Sequence, residues 1–162
     1  MVVSRSNGAC KAGYRDLLRT DNIGQLCIVM KKYWSDIIGM HRVDAIAAFD
    51  ELYPFHRSDF NRCGIYYNES TDVGMCIVSR GGKYLFGGLA RVWMFGASAA
   101  NVTGNAHVVA RDKSMVTAMN GAHVQLFDEA SAIAVGNCYI HGTEHNKVQC
   151  LTHATIIGCK RV

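Results

Sequence analysis

Small or aliphatic residues alternate with variable residues in an eight-residue repeat that runs from Ala90 to Val162. In each unit the first, third and fifth residues are small or aliphatic, the second and fourth vary, and the seventh and eighth are mostly turn formers. Such alternation is typical of a β-strand with one buried face, so each unit predicts a strand of about five residues and a turn of about three. Gly, Asn and Asp tolerate the left-handed backbone of a tight corner. Residues of these types at the seventh position are Gly96, Gly104, Asp112, Asn120, Asp128 and Gly136.

The first, third and fifth residues of the units, called the inner positions below, are uniform in character. None of them is charged or aromatic, although 19% of the chain is charged. Because so short a unit cannot bury a core by itself, successive units have to stack and bury one another's inner positions. The economical arrangement is a β-solenoid of two flattened sheets with about 16 residues per coil, or two units. An antiparallel meander is the alternative, but it would not need the same type of inner residue in every strand.

The sequence before the repeat predicts helices. Apolar residues recur from Ile23 to Ile38 at the spacing of one helix face, with Thr20 or Asp21 as the N-cap. A second helix is expected from Val43 to Leu52. It should end there because Pro54 disfavours helical geometry in the residue that precedes it.

The stretch between the helices and the repeat fits two arrangements. A short strand is expected within residues 64–67. Residues 74–86 either continue the repeat backwards as two further units or form a hairpin that turns at Gly81 and Gly82. The predicted fold is α+β, with a small N-terminal helical cap at residues 1–73 and a β-solenoid at residues 74–162, folding as one cooperative unit.

Composition and charge narrow the class of protein. The 162 residues, of which 49% are hydrophobic, suit a single domain or slightly more. The net charge of +4 comes from scattered basic residues, which does not by itself indicate nucleic-acid binding. The seven cysteines form no C-x-x-C pair and no secretory leader is evident, so we expect a reducing, cytoplasmic location. No apolar run approaches the roughly 18 residues of a membrane span, and no membrane association is expected.

The variable positions of alternate units should lie on opposite faces of the solenoid. One of them, the aliphatic face, is expected to pack against the amphipathic helix and carries Met115, Met119, Ile133, Val135 and Leu151. The other, the aromatic face, mixes the residue types that concentrate binding energy at interfaces. We predict it to be the partner-binding surface, with the contact residues Arg91, Trp93, Phe95, His107, Arg111, His123, Phe127, Tyr139 and His141. Alternatively, the helices or the segment from His56 to Thr71 cover this face.

The expected partner is another protein or a second copy of the chain. A homodimer would form through a solenoid face or through the open strand edge at the C-terminus. The alternative at that edge is that Lys160 and Arg161 act as charged guards against pairing. Nucleic acid is not expected as a partner.

Candidate catalytic and metal-binding residues do not converge in the repeat. His141, Glu144 and His145 are suitable zinc ligands by type, but the repeat places His141 on a strand and His145 at a corner. His107 and His123 occupy one column on successive coils, so their rings should stack within about 5 Å, as a solvated ladder rather than a protonation switch. The sequence contains no P-loop, G-x-S-x-G or H-E-x-x-H motif. We therefore expect no enzyme, catalytic residue, metal or cofactor.

Two of the units resemble repeats in bacterial and phage-encoded β-solenoid proteins: AHVVARDK at residues 106–113 and AHVQLFDE at residues 122–129. The resemblance extends at most from Gly82 to Val162 and includes no family-specific motif. It implies a role in attachment, assembly or inhibition of a host protein. Ice-binding solenoids have similarly short repeats, but their regular outward ladder of threonines is replaced here by bulky residues such as Arg91 and Tyr139.

The sequence favours a non-enzymatic protein-binding or assembly module, such as a phage or mobile-element protein that docks on or inhibits a host protein. One alternative is a small enzyme with a pocket between the helices and the solenoid. The other is binding of single-stranded nucleic acid, through aromatic residues and through the basic residues Lys31, Lys32, Arg42, Arg57, Arg62 and Arg80.

Overall fold

The computed structural model describes residues 11–162, which divide into two compact units with the boundary between Ile65 and Tyr66. The first unit is helical and the second is a β-solenoid, so the predicted α+β class is confirmed. The predicted short strand is present as β1, which begins at Ile65 and belongs to one of the solenoid sheets. None of the helices within residues 11–162 combines the length and the apolar character needed to span a membrane.

The helical unit contains four helices within its described residues. They are α1 (Lys11–Leu17), α2 (Ile23–Lys32), α3 (Trp34–Met40) and α4 (Arg42–Arg62). The helix predicted from Ile23 to Ile38 is therefore two helices, because the backbone leaves helical geometry at Tyr33 (φ −112°, ψ 22°). The N-cap of α2 is Asn22 rather than the predicted Thr20 or Asp21, and its side chain accepts the N–H of Gln25 at 3.0 Å.

Helix α4 continues past its predicted end. Pro54 lies inside the helix, and the backbone is non-helical at His56 (φ −124°, ψ 21°) before the helix resumes. Proline lacks an N–H and its ring crowds the preceding turn of a helix. Where packing favours helix on both sides of the proline, the helix continues with a kink. That packing is aromatic, because the ring centroid of Phe60 lies 5.6 Å from those of both Phe49 and Tyr53.

The solenoid consists of two sheets that receive strands alternately along the chain. Within the described residues, one sheet has seven strands and the other has six. The seven-stranded sheet contains, in spatial order, β1 (Ile65–Tyr67), β2 (Met75–Val78), β4 (Arg91–Met94), β6 (His107–Ala110), β8 (His123–Leu126), β10 (Tyr139–His141) and β12 (Thr155–Ile157). The six-stranded sheet contains β3 (Lys83–Phe86), β5 (Ala99–Val102), β7 (Met115–Met119), β9 (Ser131–Val135), β11 (Lys147–Cys150) and β13 (Lys160–Arg161).

Strand pairing follows the repeat. From β2 onward, neighbouring strands within a sheet are parallel, and Arg91 of β4 lies opposite His107 of β6, two units later. The solenoid has about five turns of about 16 residues each, as predicted. The meander is excluded by the parallel pairing. The hairpin at Gly81 and Gly82 is excluded because β2 and β3 belong to different sheets.

The inner positions form the core of the solenoid. Val108, Val116 and Val124 are each at most 2% exposed, and the inner alanines from Ala90 to Ala134 are buried as well. The prediction is confirmed from Ala90 to Ile140 and for Asn146 and Val148. It is wrong near the end of the repeat, where Gly142, Cys150, Ala154 and Ile156 are only partly buried and Gly158 is exposed. For Ile156 the difference arises because β12 is an edge strand of its sheet.

Polar side chains at inner positions form hydrogen bonds with backbone groups, mostly at the corners. The hydroxyl groups of Ser98 and Ser114 donate to the carbonyl oxygens of Phe95 and Arg111, at 3.0 and 2.6 Å. The amide of Asn146 donates to two backbone carbonyl groups and accepts one backbone N–H. These bonds compensate the loss of hydration, so buried polar groups are compatible with this core.

The corners require residues that adopt a left-handed backbone. A positive φ is confirmed at Gly96, Gly104, Asp112, Asp128 and Gly136. The prediction is wrong for Asn120, because β7 extends to Met119 and the left-handed residue of that unit is Gly121 (φ 82°). A Cβ atom on Gly121 would also lie 2.5 Å from the carbonyl oxygen of Gly104, so glycine is required there for two reasons.

Candidate functional site

The aromatic face lies on the seven-stranded sheet, since β4, β6, β8 and β10 carry its residues. Five of the nine predicted contact residues are exposed: Arg91, His107, His123, Tyr139 and His141. Three are partly buried: Trp93, Arg111 and Phe127. The structure therefore brings these eight side chains to one surface, with the histidines and Tyr139 most open to solvent.

Phe95 is buried, with 3% of its surface exposed, which corrects the expectation that its ring lies on the aromatic face. It follows Met94, the last residue of β4, and its N–H donates to the carbonyl group of Val78 at 2.8 Å. Arg111 and Phe127 follow β6 and β8 at the same position of the repeat and are only partly buried, so the repeat does not by itself account for the burial of Phe95. Phe95 is not part of the hydrophobic core cluster of the solenoid.

Three exposed rings stack along the axis of the solenoid and are called the ring ladder. The ring centroids of His107 and His123 lie 4.7 Å apart with an interplanar angle of 14°, and those of His123 and Tyr139 lie 5.0 Å apart at 8°. The parallel register places these residues directly opposite one another on β6, β8 and β10. The predicted stacking of the two histidines is confirmed. Tyr139 occupies the same column of the repeat on the next coil and extends the stack by one ring.

Arg91 occupies the ladder's column on the coil before His107. Partial burial lowers the pKa of His107 below its usual value, and the nearby His123 and Arg91 lower it further. The neutral form of His107 is therefore favoured over a wider pH range than in a free side chain. An anion placed beside this ring would have the opposite effect, because it stabilises the protonated form.

A second pair of side chains borders the face at the strand ends. The guanidinium carbon of Arg111 lies 4.8 Å from the ring centroid of Phe127, one coil further along. An arginine in this position is held by cation–π attraction and loses some of its rotational freedom. The pair therefore gives the edge of the aromatic face a fixed positive group.

A shallow groove of about 290 Å³ runs beside the ring ladder. One wall consists of the three rings of the ladder, and the other includes Val109, Gln125, His141 and Ile157. The two walls correspond to the second and fourth residues of each unit, which project from the same side of a strand about 6.6 to 6.8 Å apart. The groove thus joins polar ring edges to an opposite wall in which the apolar Val109 and Ile157 flank the polar Gln125 and His141.

The charged residues on the strands beneath the aromatic face are all basic, and the nearest carboxylates lie at the corners. No described strand of the seven-stranded sheet contains Asp or Glu. The corner carboxylates interact with backbone groups instead, since Asp112 accepts the N–H of Gly96 at 2.9 Å and Asp128 accepts the N–H of Asp112 at 3.3 Å. The basic residues of the face are Arg91, His107, Arg111, His123 and His141.

The aliphatic face lies on the six-stranded sheet. Met115 and Leu151 are 45% and 58% exposed, whereas Met119, Ile133 and Val135 are partly buried. This face has no ring ladder among the described contacts, and its side chains are flexible or aliphatic. The expectation that the amphipathic helix covers it stays a prediction.

Cys76 and His56, which by residue type could contribute to a catalytic dyad, do not belong to the aromatic face. Within residues 11–162, no group of three or more His, Cys, Asp or Glu side chains is arranged to hold a metal ion. Cys76 is fully buried on β2, and burial raises the pKa of its thiol to about 12, so the nucleophilic thiolate is suppressed. Nδ1 of His56 lies 3.7 Å from the carboxylate of Asp59.

The helical unit contains a groove of about 790 Å³ that the sequence pattern did not reveal. Asn22 at the start of α2 lines it, together with His56, Asp59 and Arg62 of α4. Arg62 donates to Asp59 at 3.0 Å, so these two charges neutralise each other. His56, Asp59 and Arg62 are three residues apart, which places them on one side of a helix. The sequence indicates this only if the helix is known to continue past Pro54.

Comparison of the chain with protein-family models, with curated proteins and with solved structures finds no match in any of the three. The aromatic face, through its geometry and chemistry, is the feature of the molecule that bears on function.

Proposed function

We propose that the protein is a non-enzymatic binding module that uses the aromatic face to contact another protein. The observation that carries the proposal is the ring ladder, in which three aromatic or imidazole side chains are exposed and yet held in a fixed stack. Tyr139 remains 54% exposed. The stacking leaves the ring edges available to a partner and fixes their positions, so a contact with them has a low entropic cost.

The parallel sheet beneath the ladder supports this role. Each ladder residue is fixed by the register of its strand, so its position does not depend on the flexibility of a loop. Pre-ordered contact residues lose less conformational freedom when a partner binds. The groove beside the ladder adds a concave strip with apolar contacts at Val109 and Ile157, where a partner's side chains can be buried.

The resemblance of the units at residues 106–113 and 122–129 to bacterial and phage-encoded solenoids supports a more specific proposal. The protein would be a phage or mobile-element product that docks on or inhibits a host protein in the cytoplasm. An assembly role is the alternative within the same class. Both use the aromatic face in the same way.

The experiment is a selection of binders from a displayed library of random peptides, followed by a comparison of variants. His123→Ala combined with Tyr139→Ala removes two rings of the ladder from exposed positions and should weaken most selected peptides by about tenfold or more. Thr117→Ala combined with Gln149→Ala is the matched control on the aliphatic face.

Circular dichroism should show the same thermal midpoint for both double variants and the unmodified protein. Equal binding of the selected peptides to the ladder variant and the control would contradict the proposed function, since the aromatic face would then contribute nothing to recognition.

A further inference from the structure

The groove beside the ring ladder has the length of a short extended peptide. Its lining reaches from β6 to β12, which is three strand intervals of about 4.8 Å, or about 14 Å in all. About four residues of an extended chain span that distance. Because the side chains of such a chain point alternately to opposite sides, one set can enter the groove while the other set faces the ladder and Arg91.

From the charges and the groove we infer that the aromatic face binds an acidic, extended segment of its partner, with carboxylates directed at Arg91 and the ring ladder and apolar side chains in the groove. This inference rests on the proposed function and specifies the chemistry of the partner. It follows from charge complementarity, because the strands of this sheet present arginine and histidine side chains and no carboxylate among the described residues.

The donors on this face match carboxylate groups. Arg91 and His107 are neighbours in register, so a guanidinium group and an imidazole ring stand side by side on successive coils. Guanidinium groups bind carboxylates through paired hydrogen bonds, and a protonated imidazole donates from both ring nitrogens. On the opposite wall, Val109 and Ile157 provide apolar contacts for the intervening side chains.

Single-stranded nucleic acid fits the face less well. Bases bind such surfaces by stacking on exposed ring faces. Here both faces of His123 are covered by His107 and Tyr139, so mainly the ring edges are available. The permanently charged groups on the face are Arg91 and Arg111, whereas tight binding to several phosphates uses a larger number of cations.

A second copy of the chain also fits less well. In a symmetric dimer the same surface patch meets itself, so the permanently charged Arg91 and Arg111 of both molecules would share one interface. Like charges at an interface oppose association. An acidic segment avoids this repulsion.

Protonation should strengthen binding of the acidic segment. His107 faces Arg91 of β4 and His123 of β8, and His123 faces Tyr139 of β10. His141 lies between Gln125 of β8 and Ile157 of β12. The lowered pKa of His107 means that it is mostly neutral at neutral pH and gains a charge on acidification. Because a bound carboxylate favours the protonated rings, the affinity should rise as the pH falls.

The test measures fluorescence anisotropy of three labelled probes. They are a synthetic peptide in which Glu alternates with Val and Thr, its counterpart with Lys at every Glu position, and an oligothymidine of the same charge as the acidic peptide. We expect the acidic peptide to bind most tightly, and its affinity to fall about fivefold in Arg91→Gln. Lys147→Gln, on the six-stranded sheet, is the matched control and should leave the affinity unchanged.

A pH series adds a readout that a merely structural effect would not change. The acidic peptide should bind about threefold more tightly near pH 6 than near pH 8, and this difference should disappear when His107, His123 and His141 are all replaced by Gln. Binding that does not vary with pH, or varies equally in the triple variant, would overturn the inference.

Three further results would overturn it: preference for the Lys peptide, Arg91-dependent preference for the oligothymidine, or dimerisation detected by light scattering that Arg91→Gln alters. The peptide library separates this inference from the proposed function. Selected peptides that depend on the ladder but are neutral or basic contradict only the inference. Selected peptides that ignore the ladder contradict the proposed function as well.

Discussion

At the level of single residues, Val124 tests the buried inner positions most directly. It lies on β8 between Val108 and Ile140 in register and is 2% exposed. Val124→Asp would place a carboxylate in an apolar core with no cation within the stack, and an unpaired buried charge costs about 3 kcal/mol or more. We expect the solenoid to unfold at a much lower urea concentration, as measured by circular dichroism.

The neighbouring exposed residue Gln125 provides the control for this substitution. Gln125→Asp introduces the same carboxylate on the same strand but leaves it in solvent. Its unfolding midpoint should stay close to that of the unmodified protein. If both aspartate variants unfold alike, the alternation of inward and outward residues on β8 is not what stabilises the solenoid.

Asn146 tests whether the polar groups of the core are held by specific hydrogen bonds. Its amide nitrogen donates to the carbonyl oxygens of Asp128 and Ala130, at 3.1 and 3.0 Å, and its oxygen accepts the N–H of Thr143 at 2.8 Å. Asn146→Ala would leave these backbone groups without a partner in the core. The expected cost is about 1 to 3 kcal/mol in the free energy of unfolding.

Urea denaturation of Asn146→Ala should be compared with Gln149→Ala, an exposed substitution on β11. The comparison separates loss of the hydrogen bonds from the general effect of an alanine in this strand. Equal stability of the two variants would show that water replaces the Asn146 amide without cost.

The repeat predicted the exposure of those contact residues of the aromatic face that lie on strands. His107, His123 and Tyr139 share one column, so their exposure and stacking follow from the sequence once parallel pairing is known. Phe95, Arg111 and Phe127 each lie one residue beyond a strand, at the same position of the repeat, yet only Phe95 is buried. Its burial therefore could not be read from the pattern.

At the level of elements, the corners tolerate fewer residue types than the strands. Gly121 has a φ of 82°, and a side chain there would meet the carbonyl oxygen of Gly104. Gly121→Ala should therefore lower the free energy of unfolding by about 1 to 3 kcal/mol. A Cβ on Gly81 would have the carbonyl oxygen of Ala97 as its nearest neighbour, at 4.0 Å, and the φ of Gly81 is not positive, so Gly81→Ala is the matched control.

Thermal unfolding of the two glycine variants provides the measurement. A lower midpoint for Gly121→Ala alone is the expected result. A similar decrease for both would attribute the effect to the loss of glycine in general and not to the left-handed corner.

The helices illustrate why local signals alone were insufficient. Pro54 is a reliable reason to end an isolated helix, but here the rings of Phe49, Tyr53 and Phe60 pack together across the kink. Burial of these side chains stabilises the continued helix by more than proline destabilises it. Such contacts between residues on either side of a proline are not encoded in a short sequence window.

At the level of the whole molecule, the solenoid was far more predictable than the helical unit. One repeated pattern specifies which residues are buried, which strands pair and which side chains share a face. The helical unit has no repeat, so its breaks at Tyr33 and His56 depend on its own packing. The groove in that unit was missed for the same reason.

The register of sixteen residues between paired strands constrains how the chain can change in length. Deleting one eight-residue unit would send every later strand to the opposite sheet and interchange the two surfaces beyond that point. Deleting or duplicating two units would preserve both surfaces and merely shorten or lengthen them. Evolution of this protein by insertion and deletion should therefore proceed in whole turns, with the length of the binding surface adjustable in steps of about 4.8 Å.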